Sequence, residues 1–220
     1  VDRSIGQLRD WLGEADLRDN TLLWYCGDNG TPSGGIVTSP FRGQKATMYE
    51  GGIRVPGLIE WPAKITASRT SSVNAVTSDM LPTLCELTRQ PVPDRPLDGI
   101  SLKPLIDGEM TERPSPIYFW SYSGRSQEET WQPYIDPELQ QGTTPLVKMM
   151  AGRYTRNFTN YHHPEITDED YGGPRVMLDG NYKLVLGENE EQLFNLEQDP
   201  AEQSNLIDSH SEMADAMKTS

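Results

Sequence analysis

Hydrophobic residues recur at helical spacing in the first part of the chain. Ile5, Leu8 and Leu12 lie three or four residues apart and predict an amphipathic helix over residues 2–15. A continuous apolar run follows at residues 21–27, after an Asp-Asn turn. An uninterrupted run of this length is typical of a strand that is covered on both faces. The pattern therefore begins with a helix and a buried strand.

Glycine and proline divide the next part of the chain into a long loop, a strand and a helix. Residues 28–52 are rich in Gly and predict a loop, and a loop this long in a compact domain is usually functional. Residues 53–61 predict a second strand, although Pro56 disfavours a central position in a sheet. The apolar spacing then predicts a helix that ends near Arg89, with Ser78-Asp79 as its N-terminal cap.

A Pro-rich stretch at residues 90–115 indicates a boundary between two units. We predict a first domain over residues 1–112 and a small α+β subdomain over residues 113–220. The Asp179-Gly180 pair in the second is a good hairpin signal. The elements expected there are strands over residues 116–122, 175–178, 182–187 and 191–195, and a last amphipathic helix that contains Met213 and Met217. The predicted fold class is α/β, followed by a small antiparallel sheet with one helix.

Charge and composition exclude several classes of protein. The 220 residues carry a formal net charge of −14, which argues against a nucleic-acid or anionic-membrane partner. No apolar run approaches the ~18 residues of a transmembrane helix. Two Cys cannot form a disulfide framework. The first residues hold no initiator Met and no signal peptide and lie within a predicted helix, so we expect a piece of a longer protein.

The end of the predicted strand over residues 21–27 carries the most informative chemistry. Asp28 and Asn29 place acid and amide oxygens at the carboxyl end of that strand, where α/β sheets bind ligands. Oxygen ligands suit a hard divalent cation, and a cationic Lys45 follows in the Gly-rich loop. An anionic ester held by a metal ion would need this combination. The simpler alternatives are a turn stabilised by the Asp and Asn side chains and a solvated surface lysine.

The segment TLLWYCGDNG, followed by FRGQKATMYEGGIRVPGLIEWPAKI, resembles the type I sulfatases of the alkaline-phosphatase-like superfamily. SDMLPTLCEL resembles the helix that follows in that family, and LDGISLKPLIDG resembles its linker to the small domain. GNYKLVLGENEEQLFNLEQDPAEQSNL resembles the end of its C-terminal antiparallel subdomain. The resemblance therefore implies that residues 1–112 are the C-terminal part of a sulfatase catalytic domain.

The resemblance implies roles for three residues. In type I sulfatases the Asp and Asn of the DNG motif are ligands of a calcium ion, so Asp28 and Asn29 are the expected metal ligands. The Lys of the RGxK motif contacts the sulfate, so Lys45 is the expected catalytic and substrate-binding residue. The nucleophile of the family is a formylglycine made from Cys or Ser. It lies N-terminal to DNG, together with an acidic pair that completes the metal site.

This chain departs from the family in the part that carries the nucleophile. It has no adjacent Asp-Asp pair and no Cys/Ser-x-Pro/Ala-x-Arg motif. Cys85 and Arg89 have the right separation, but Leu87 replaces the small residue or proline between them. Cys85 is therefore interpreted as a small buried core residue. We expect the formylglycine and the rest of the calcium site to lie upstream, and the chain by itself to be inactive.

The resemblance implies that the intact protein hydrolyses an aryl or carbohydrate sulfate ester, in the periplasm or outside the cell. Its expected partner is a sulfated small molecule or carbohydrate, with no nucleic acid and no membrane. A phosphodiesterase or phosphonate hydrolase of the same superfamily is one alternative, which the upstream nucleophile motif decides. A non-catalytic carbohydrate-binding protein that has lost its nucleophile is another, which the gene upstream of Val1 decides.

Charged and aromatic residues elsewhere leave local alternatives open. Arg42, Glu50 and Arg54 favour an ion-paired network that holds the loop over direct contact with substrate. The His162-His163 pair either binds a metal or a sulfated sugar, or is a solvated pair in a loop. Four aromatic residues either stack on a sugar or cover the small sheet: Trp120, Tyr122, Trp131 and Tyr134.

Overall fold

The computed structural model describes residues 1–32, 39–120, 173–187 and 189–219, together with the backbone of four two-residue strands between residues 132 and 160. The helices are α1 (Asp2–Glu14), α2 (Glu50–Ile53), α3 (Met80–Thr88), α4 (Lys103–Asp107) and α5 (Ser211–Thr219). The strands are β1 (Leu23–Cys26), β2 (Gly57–Glu60), β3 (Ile117–Trp120), β4 (Gln132–Pro133), β5 (Met149–Met150), β6 (Arg153–Tyr154), β7 (Thr159–Asn160), β8 (Arg175–Asp179), β9 (Tyr182–Leu186) and β10 (Glu191–Asn195). Among the described residues, no helix is both long and apolar enough to cross a bilayer.

Contacts between residues divide the chain into two compact units. The first consists of residues 1–120 and 174–220, and the second consists of residues 121–173. The described part of the second unit is two short antiparallel pairs, β4 with β7 and β5 with β6. The domain boundary proposed after residue 112 stays a prediction. The side chains of His162 and His163, and the residues Tyr122, Trp131 and Tyr134, lie outside the described residues.

The first helix and strand β1 lie where the apolar pattern predicts them, whereas β2 covers only Gly57–Glu60 of the predicted residues 53–61 and Ile53 ends helix α2. Helix α1 begins at the predicted residue and buries Leu12. Strand β1 pairs with β2 in an antiparallel two-stranded sheet, in which Cys26 lies opposite Gly57. All four β1 residues are half-buried, so the expectation of a strand covered on both faces is wrong for the described chain. The physical reason is that two strands of four residues can bury little of either face.

Two arginines tie the N-terminal segment to β2. Arg18 donates from Nε and Nη2 to Glu60 Oε1, and Arg9 Nε lies 2.7 Å from Glu60 Oε2. Burial by itself would raise the pKa of Glu60, but the hydrogen bonds from Arg18 and Arg9 outweigh it and hold that pKa below its ordinary value. The ionised carboxylate therefore links α1, the turn after it and the strand pair.

The C-terminal part of the first unit is a four-stranded antiparallel sheet in the order β10-β9-β8-β3. One face packs against α5, where Ala214 and Met217 join the core, as the amphipathic pattern predicts. The hairpin between β8 and β9 pairs Asp179 with Tyr182, so its turn is Gly180-Asn181, one residue later than predicted. The opposite face packs against residues from the long loop, as described below.

Helix α3 begins at a buried charge pair. Arg113 donates to both oxygens of Asp79, at 2.7 and 2.9 Å, and neither side chain is more than 3% exposed. The Asp79 carboxylate also accepts from the backbone N–H groups of Val76 and Ile100. The Asp79 side chain therefore ties α3 to the following linker. It makes no cap hydrogen bond to α3, so the prediction that it caps this helix is wrong.

Two further expectations about this region need correction. Cys85 is half-buried and has a free thiol, whereas a buried core position was expected. The Pro-rich stretch contains helix α4, which is too short to show a helical period in the sequence. Its proline lies in the first turn, where the missing N–H costs no hydrogen bond.

Candidate functional site

The DNG segment lies immediately beyond the end of β1. Asp28 is the second residue after the strand and is exposed, and Asn29 beside it is half-buried. Asn29 Nδ2 donates to the carbonyl oxygen of Gly30 at 2.9 Å. This hydrogen bond fixes which end of the amide faces Gly30, so the amide oxygen, the atom that a hard cation would bind, is on the other side of the group.

Three segments meet at this point through backbone hydrogen bonds. Gly30 N–H donates to Gly52 O at 3.0 Å, and Thr31 N–H donates to Gly51 O at 2.8 Å. Lys45 N–H donates to Thr31 O at 2.7 Å. We call this arrangement of residues 27–31, 42–47 and 49–54 the loop junction. It brings the DNG, RGxK and EGG motifs together, although the bonded residues Gly30 and Gly52 are 22 positions apart in sequence.

Glycine is required where these backbones touch. A Cβ atom on Gly30 would overlap the carbonyl oxygen of Gly51, and one on Gly51 would overlap the carbonyl oxygens of Arg42 and Gly43. In both cases the obstacle is backbone, which cannot rotate out of the way as a side chain can. The sequence suggested that the Gly51-Gly52 pair supplies conformational freedom. The structure shows a second role, because the pair also permits the three segments to pack closely.

We expect Gly51→Ala to destabilise the protein by about 1–3 kcal/mol, because the new methyl group must displace backbone in the loop junction. The matched control is Gly13→Ala in α1, where a Cβ would meet nothing within 4 Å. That substitution should leave stability unchanged or raise it by up to about 1 kcal/mol. Urea denaturation of both variants measures the difference. Equal stability of the two variants would show that the junction can relax around a methyl group.

A buried cluster of charges lies behind the loop junction. The side chain of Lys183, in β9, is 0% exposed and its Nζ lies 3.0 Å from Glu50 Oε1 and 2.7 Å from Glu202 Oε1. Nζ donates a hydrogen bond to Glu50, and its contact with Glu202 is an ion pair without hydrogen-bond alignment. Glu202 Oε2 in turn accepts from the backbone N–H of Glu50 at 2.7 Å. We call these three residues the buried charge cluster.

The cluster also involves the arginines of the loop junction. Arg54 Nη1 lies 3.6 Å from Glu50 Oε2, and its guanidinium stacks over Phe41. Arg42 stacks over the ring of Tyr49 at 3.8 Å and donates to the carbonyl oxygen of Glu202. The expected ion-paired network around the loop is therefore present. Its centre is Lys183, from a distant part of the chain. Arg42 makes no ion pair in it and contacts instead the carbonyl oxygen of Glu202 and the ring of Tyr49.

Burial dominates the ionisation of Glu202. It raises the pKa of that carboxyl above its ordinary value, although the Lys183 ammonium lowers it. The backbone N–H of Glu50 also favours the ionised form, whereas the charge of Glu50 opposes it. Glu202 therefore resists ionisation more than an exposed glutamate does.

Sequence reasoning did not find Lys183 or Glu202. The alternation within β9 places Lys183 and Val185 on one face, and Val185 is buried with Val176 and Phe194 against Met48 and Tyr49. A lysine on the apolar face of a strand was the available signal, because such a charge needs a buried partner. Nothing in the sequence around Glu202 indicated that partner, since it lies in the turn after Asp199-Pro200.

Trp120 is exposed at the end of β3. It is 42% exposed and stacks on Tyr118, which is 41% exposed, with ring centroids 5.7 Å apart. Because each residue is about two fifths exposed, neither ring is part of the buried core of the small sheet. They form an aromatic surface at the edge strand, which is compatible with the sugar-stacking alternative.

The sulfatase family model matches residues 1–90, which contain the DNG, RGxK and EGGIRVP motifs. Steryl-sulfatase of Homo sapiens is 29% identical in an alignment of 216 positions that covers 94% of this chain. The chain is similar to the sulfatases. Arylsulfatase A of Bos taurus is 28% identical in an alignment of 218 positions that covers 97% of the chain. The chain spans 34% and 39% of the length of these two relatives.

Solved structures confirm the predicted α/β fold class of the chain. The structure of Ps i-CgsB in complex with k-i-k-neocarrahexaose matches with a TM-score of 0.68 and 24% identity, over 99% of this chain and 39% of that one. The phosphonate monoester hydrolase of Agrobacterium radiobacter matches with a TM-score of 0.61 and 20% identity, over 99% of this chain and 37% of that one. At these identities the likeness shows the fold alone.

The donor atoms of Asp28 and Asn29 suit calcium in type. Asp28 and Asn29 offer carboxylate and amide oxygens, the ligands that calcium prefers, and the Asn29 hydrogen bond keeps its oxygen available. Calcium takes about six to eight oxygens, more than two side chains supply. In the described part of the chain, no group of three or more His, Cys, Asp and Glu side chains is placed to hold a metal ion. The roles of Asp28, Asn29 and Lys45 stay predictions.

Proposed function

We propose that the protein to which these residues belong hydrolyses sulfate esters, and that the loop junction holds part of its active site. The observation that carries the proposal is the backbone contact of the DNG, RGxK and EGG motifs in a chain whose residues 1–90 match the sulfatase family model. Lys45 N–H donates to the carbonyl oxygen of Thr31, which is three residues from Asp28. The backbone segments that carry the proposed cation ligand and the ammonium group are therefore neighbours. This arrangement suits an anionic ester that must be held from two sides.

Each of the three residues has a separate task in this proposal. Asp28 and Asn29 supply oxygen ligands to calcium, which when bound offers positive charge to the ester oxygens. Lys45, which is exposed and can reach a ligand, places its ammonium against the sulfate and stabilises charge that develops on the leaving oxygen. The nucleophile, a formylglycine, and the remaining calcium ligands come from residues upstream of Val1.

The proposed substrate is a sulfated small molecule or carbohydrate, and the proposed site of action is the periplasm or the outside of the cell. Support for a carbohydrate comes from the structural neighbour in complex with neocarrahexaose. The exposed Tyr118–Trp120 pair adds a surface of the kind on which sugar rings stack. Aryl sulfates remain the simplest assay substrates, because the proposed contacts involve only the sulfate group.

The function is tested with the full-length protein and with this chain alone. We expect the full-length protein with calcium to hydrolyse an aryl sulfate, and the chain of residues 1–220 to show no turnover. The reason is that the chain has the loop junction but no nucleophile motif. Sulfate release is measured for both proteins, with a calcium chelator as the control. Turnover by the chain alone would contradict the upstream location of the nucleophile.

A second candidate function is hydrolysis of a phosphonate or phosphate ester. The fold match to a phosphonate monoester hydrolase favours it, because a metal ion and a lysine can also hold phosphorus oxyanions. The same full-length protein is therefore assayed against an aryl phosphonate ester and an aryl phosphodiester. A kcat/KM larger for either of these than for the aryl sulfate would replace the sulfatase proposal by this one.

A further inference from the structure

The buried charge cluster connects the C-terminal sheet to the loop junction. A role in stabilising the fold does not by itself explain this position. The geometry points to Lys183 as a positioning residue for the proposed cation and sulfate site, acting through Glu50 and Glu202. Lys183 lies in the C-terminal sheet, more than one hundred residues from the motifs of that site. The catalytic consequence of this inference rests on the proposed function, and its structural part does not.

The first step is from Lys183 to the EGG motif. Glu50 is the first residue of α2, and it is held twice: Lys183 binds its carboxylate, and Glu202 accepts from its backbone N–H. These contacts fix both the position and the direction of the chain as α2 begins. Gly51 and Gly52 continue the helix from this anchored residue.

The second step is from the EGG motif to the DNG motif. The carbonyl oxygens of Gly51 and Gly52 accept from Thr31 and Gly30, immediately after Asn29. These hydrogen bonds hold the DNG segment against α2. A displacement of Glu50 should therefore displace the DNG segment as well. The proposed calcium ligands therefore follow the position of Glu50, and Glu50 follows Lys183.

The third step ties the RGxK motif to the same cluster. Arg42 donates to the carbonyl oxygen of Glu202, and its own carbonyl oxygen accepts from Gly51 N–H at 2.7 Å. Arg42 also stacks on Tyr49, whose hydroxyl donates to Gln192 in β10. The segment that carries Lys45 is thus fixed at its start by the cluster and by the sheet.

A charge cluster suits a positioning task better than an apolar contact would. Replacing a buried ion cluster by apolar residues often costs no stability, so such a cluster is weak evidence for stabilisation. An ammonium between two carboxylates and a backbone N–H has few acceptable geometries, whereas apolar side chains can slide. The hydrogen bonds of Glu50 and Glu202 thereby define one register between the sheet and the loop junction.

The chain offers a matched control in the Asp79–Arg113 pair. It is equally buried and lies in the same unit, so breaking it should cost a similar amount of stability. Its hydrogen-bond partners are in residues 74–79 and 100, outside the loop junction. Lys183→Met and Arg113→Met each remove the cation of a buried ion pair. They differ in that only Lys183→Met removes a contact to the loop junction.

Hydrogen exchange in the full-length protein tests the structural part without any ligand. We expect Lys183→Met to speed amide exchange in peptides that cover residues 27–31 and 42–53 by about tenfold or more relative to Arg113→Met, with both proteins folded. Equal exchange of these peptides in the two variants would overturn the inference. This readout decides the matter even if the full-length protein neither binds calcium nor hydrolyses sulfate, in which case the proposed function alone fails.

Calcium binding tests the consequence for the site. Isothermal titration of full-length protein with calcium should show a Kd about tenfold or more weaker for Lys183→Met, a change within about threefold for Arg113→Met, and loss of binding for Asp28→Ala. A merely structural role of Lys183 would not move Kd at a temperature where each variant is folded. Wild-type Kd in Lys183→Met, with binding lost in Asp28→Ala, would overturn the positioning role and leave the proposed function intact.

Discussion

Lys45→Ala in the full-length protein is expected to lower kcat/KM for an aryl sulfate by about 100-fold or more, the scale seen when one oxyanion donor is removed. If Lys45 contacts sulfate in the ground state, as proposed, the KM should rise. If that contact strengthens while charge develops on the ester oxygens, the kcat should fall as well. Steady-state kinetics with saturating calcium separate the two effects.

The controls for this prediction are two further lysine variants. Lys64→Ala removes another exposed ammonium from the same unit, in the turn after β2, and should leave kcat/KM unchanged. Lys45→Arg should recover little activity, because a planar guanidinium does not replace a compact ammonium in a tight site. Near-wild-type kcat/KM for Lys45→Ala would return this residue to the class of ordinary solvated lysines.

Lys183→Met is expected to lower the free energy of unfolding by about 3–5 kcal/mol, the usual cost of removing one partner from a buried ion pair. Methionine fills nearly the same volume, so the loss comes from the buried Glu202 carboxylate without its cation and from Glu50 with only Arg54, at 3.6 Å, as its cation. Adding Glu202→Gln should recover at least about 1 kcal/mol, because the glutamine oxygen can still accept from Glu50 N–H. Urea denaturation of the single and double variants measures this coupling.

The pH dependence of the Lys183→Met variant gives a second check. Burial already raises the pKa of Glu202, and loss of the ammonium that lowers it raises that pKa further. A carboxyl with a raised pKa in the folded state costs no stability below its ordinary pKa, and costs more as the pH rises through the raised value. The stability deficit should therefore be smaller at about pH 4.5 than at about pH 7.5. A deficit of equal size at both pH values would rule out an unpaired carboxylate as its cause.

The sequence predicted the elements that depend on local pattern. Periodicity gave α1, β9 and β10 to within about two residues and indicated α5 through Met213 and Met217, because their apolar faces coincide with the core that they form. Turn residues located the hairpin at Gly180 to within one position. Where an element is short or its side chains have distant partners, this local signal failed, as in α4 and at Asp79.

The motifs in the order DNG, RGxK and EGGIRVP were sufficient, from sequence alone, to indicate the resemblance to sulfatases and to predict three site residues, whose roles stay predictions. Motifs can do this because a calcium ligand or a sulfate contact needs a particular atom type at a particular place in the chain. What only the tertiary structure decided is how Gly30, Gly51 and Gly52 bring the motifs into contact, and which charges lie behind them. Lys183 and Glu202 approach Glu50 from residues 133 and 152 positions away. Pairing at such separations depends on the packing of a whole sheet against a loop, and no local sequence pattern encodes it.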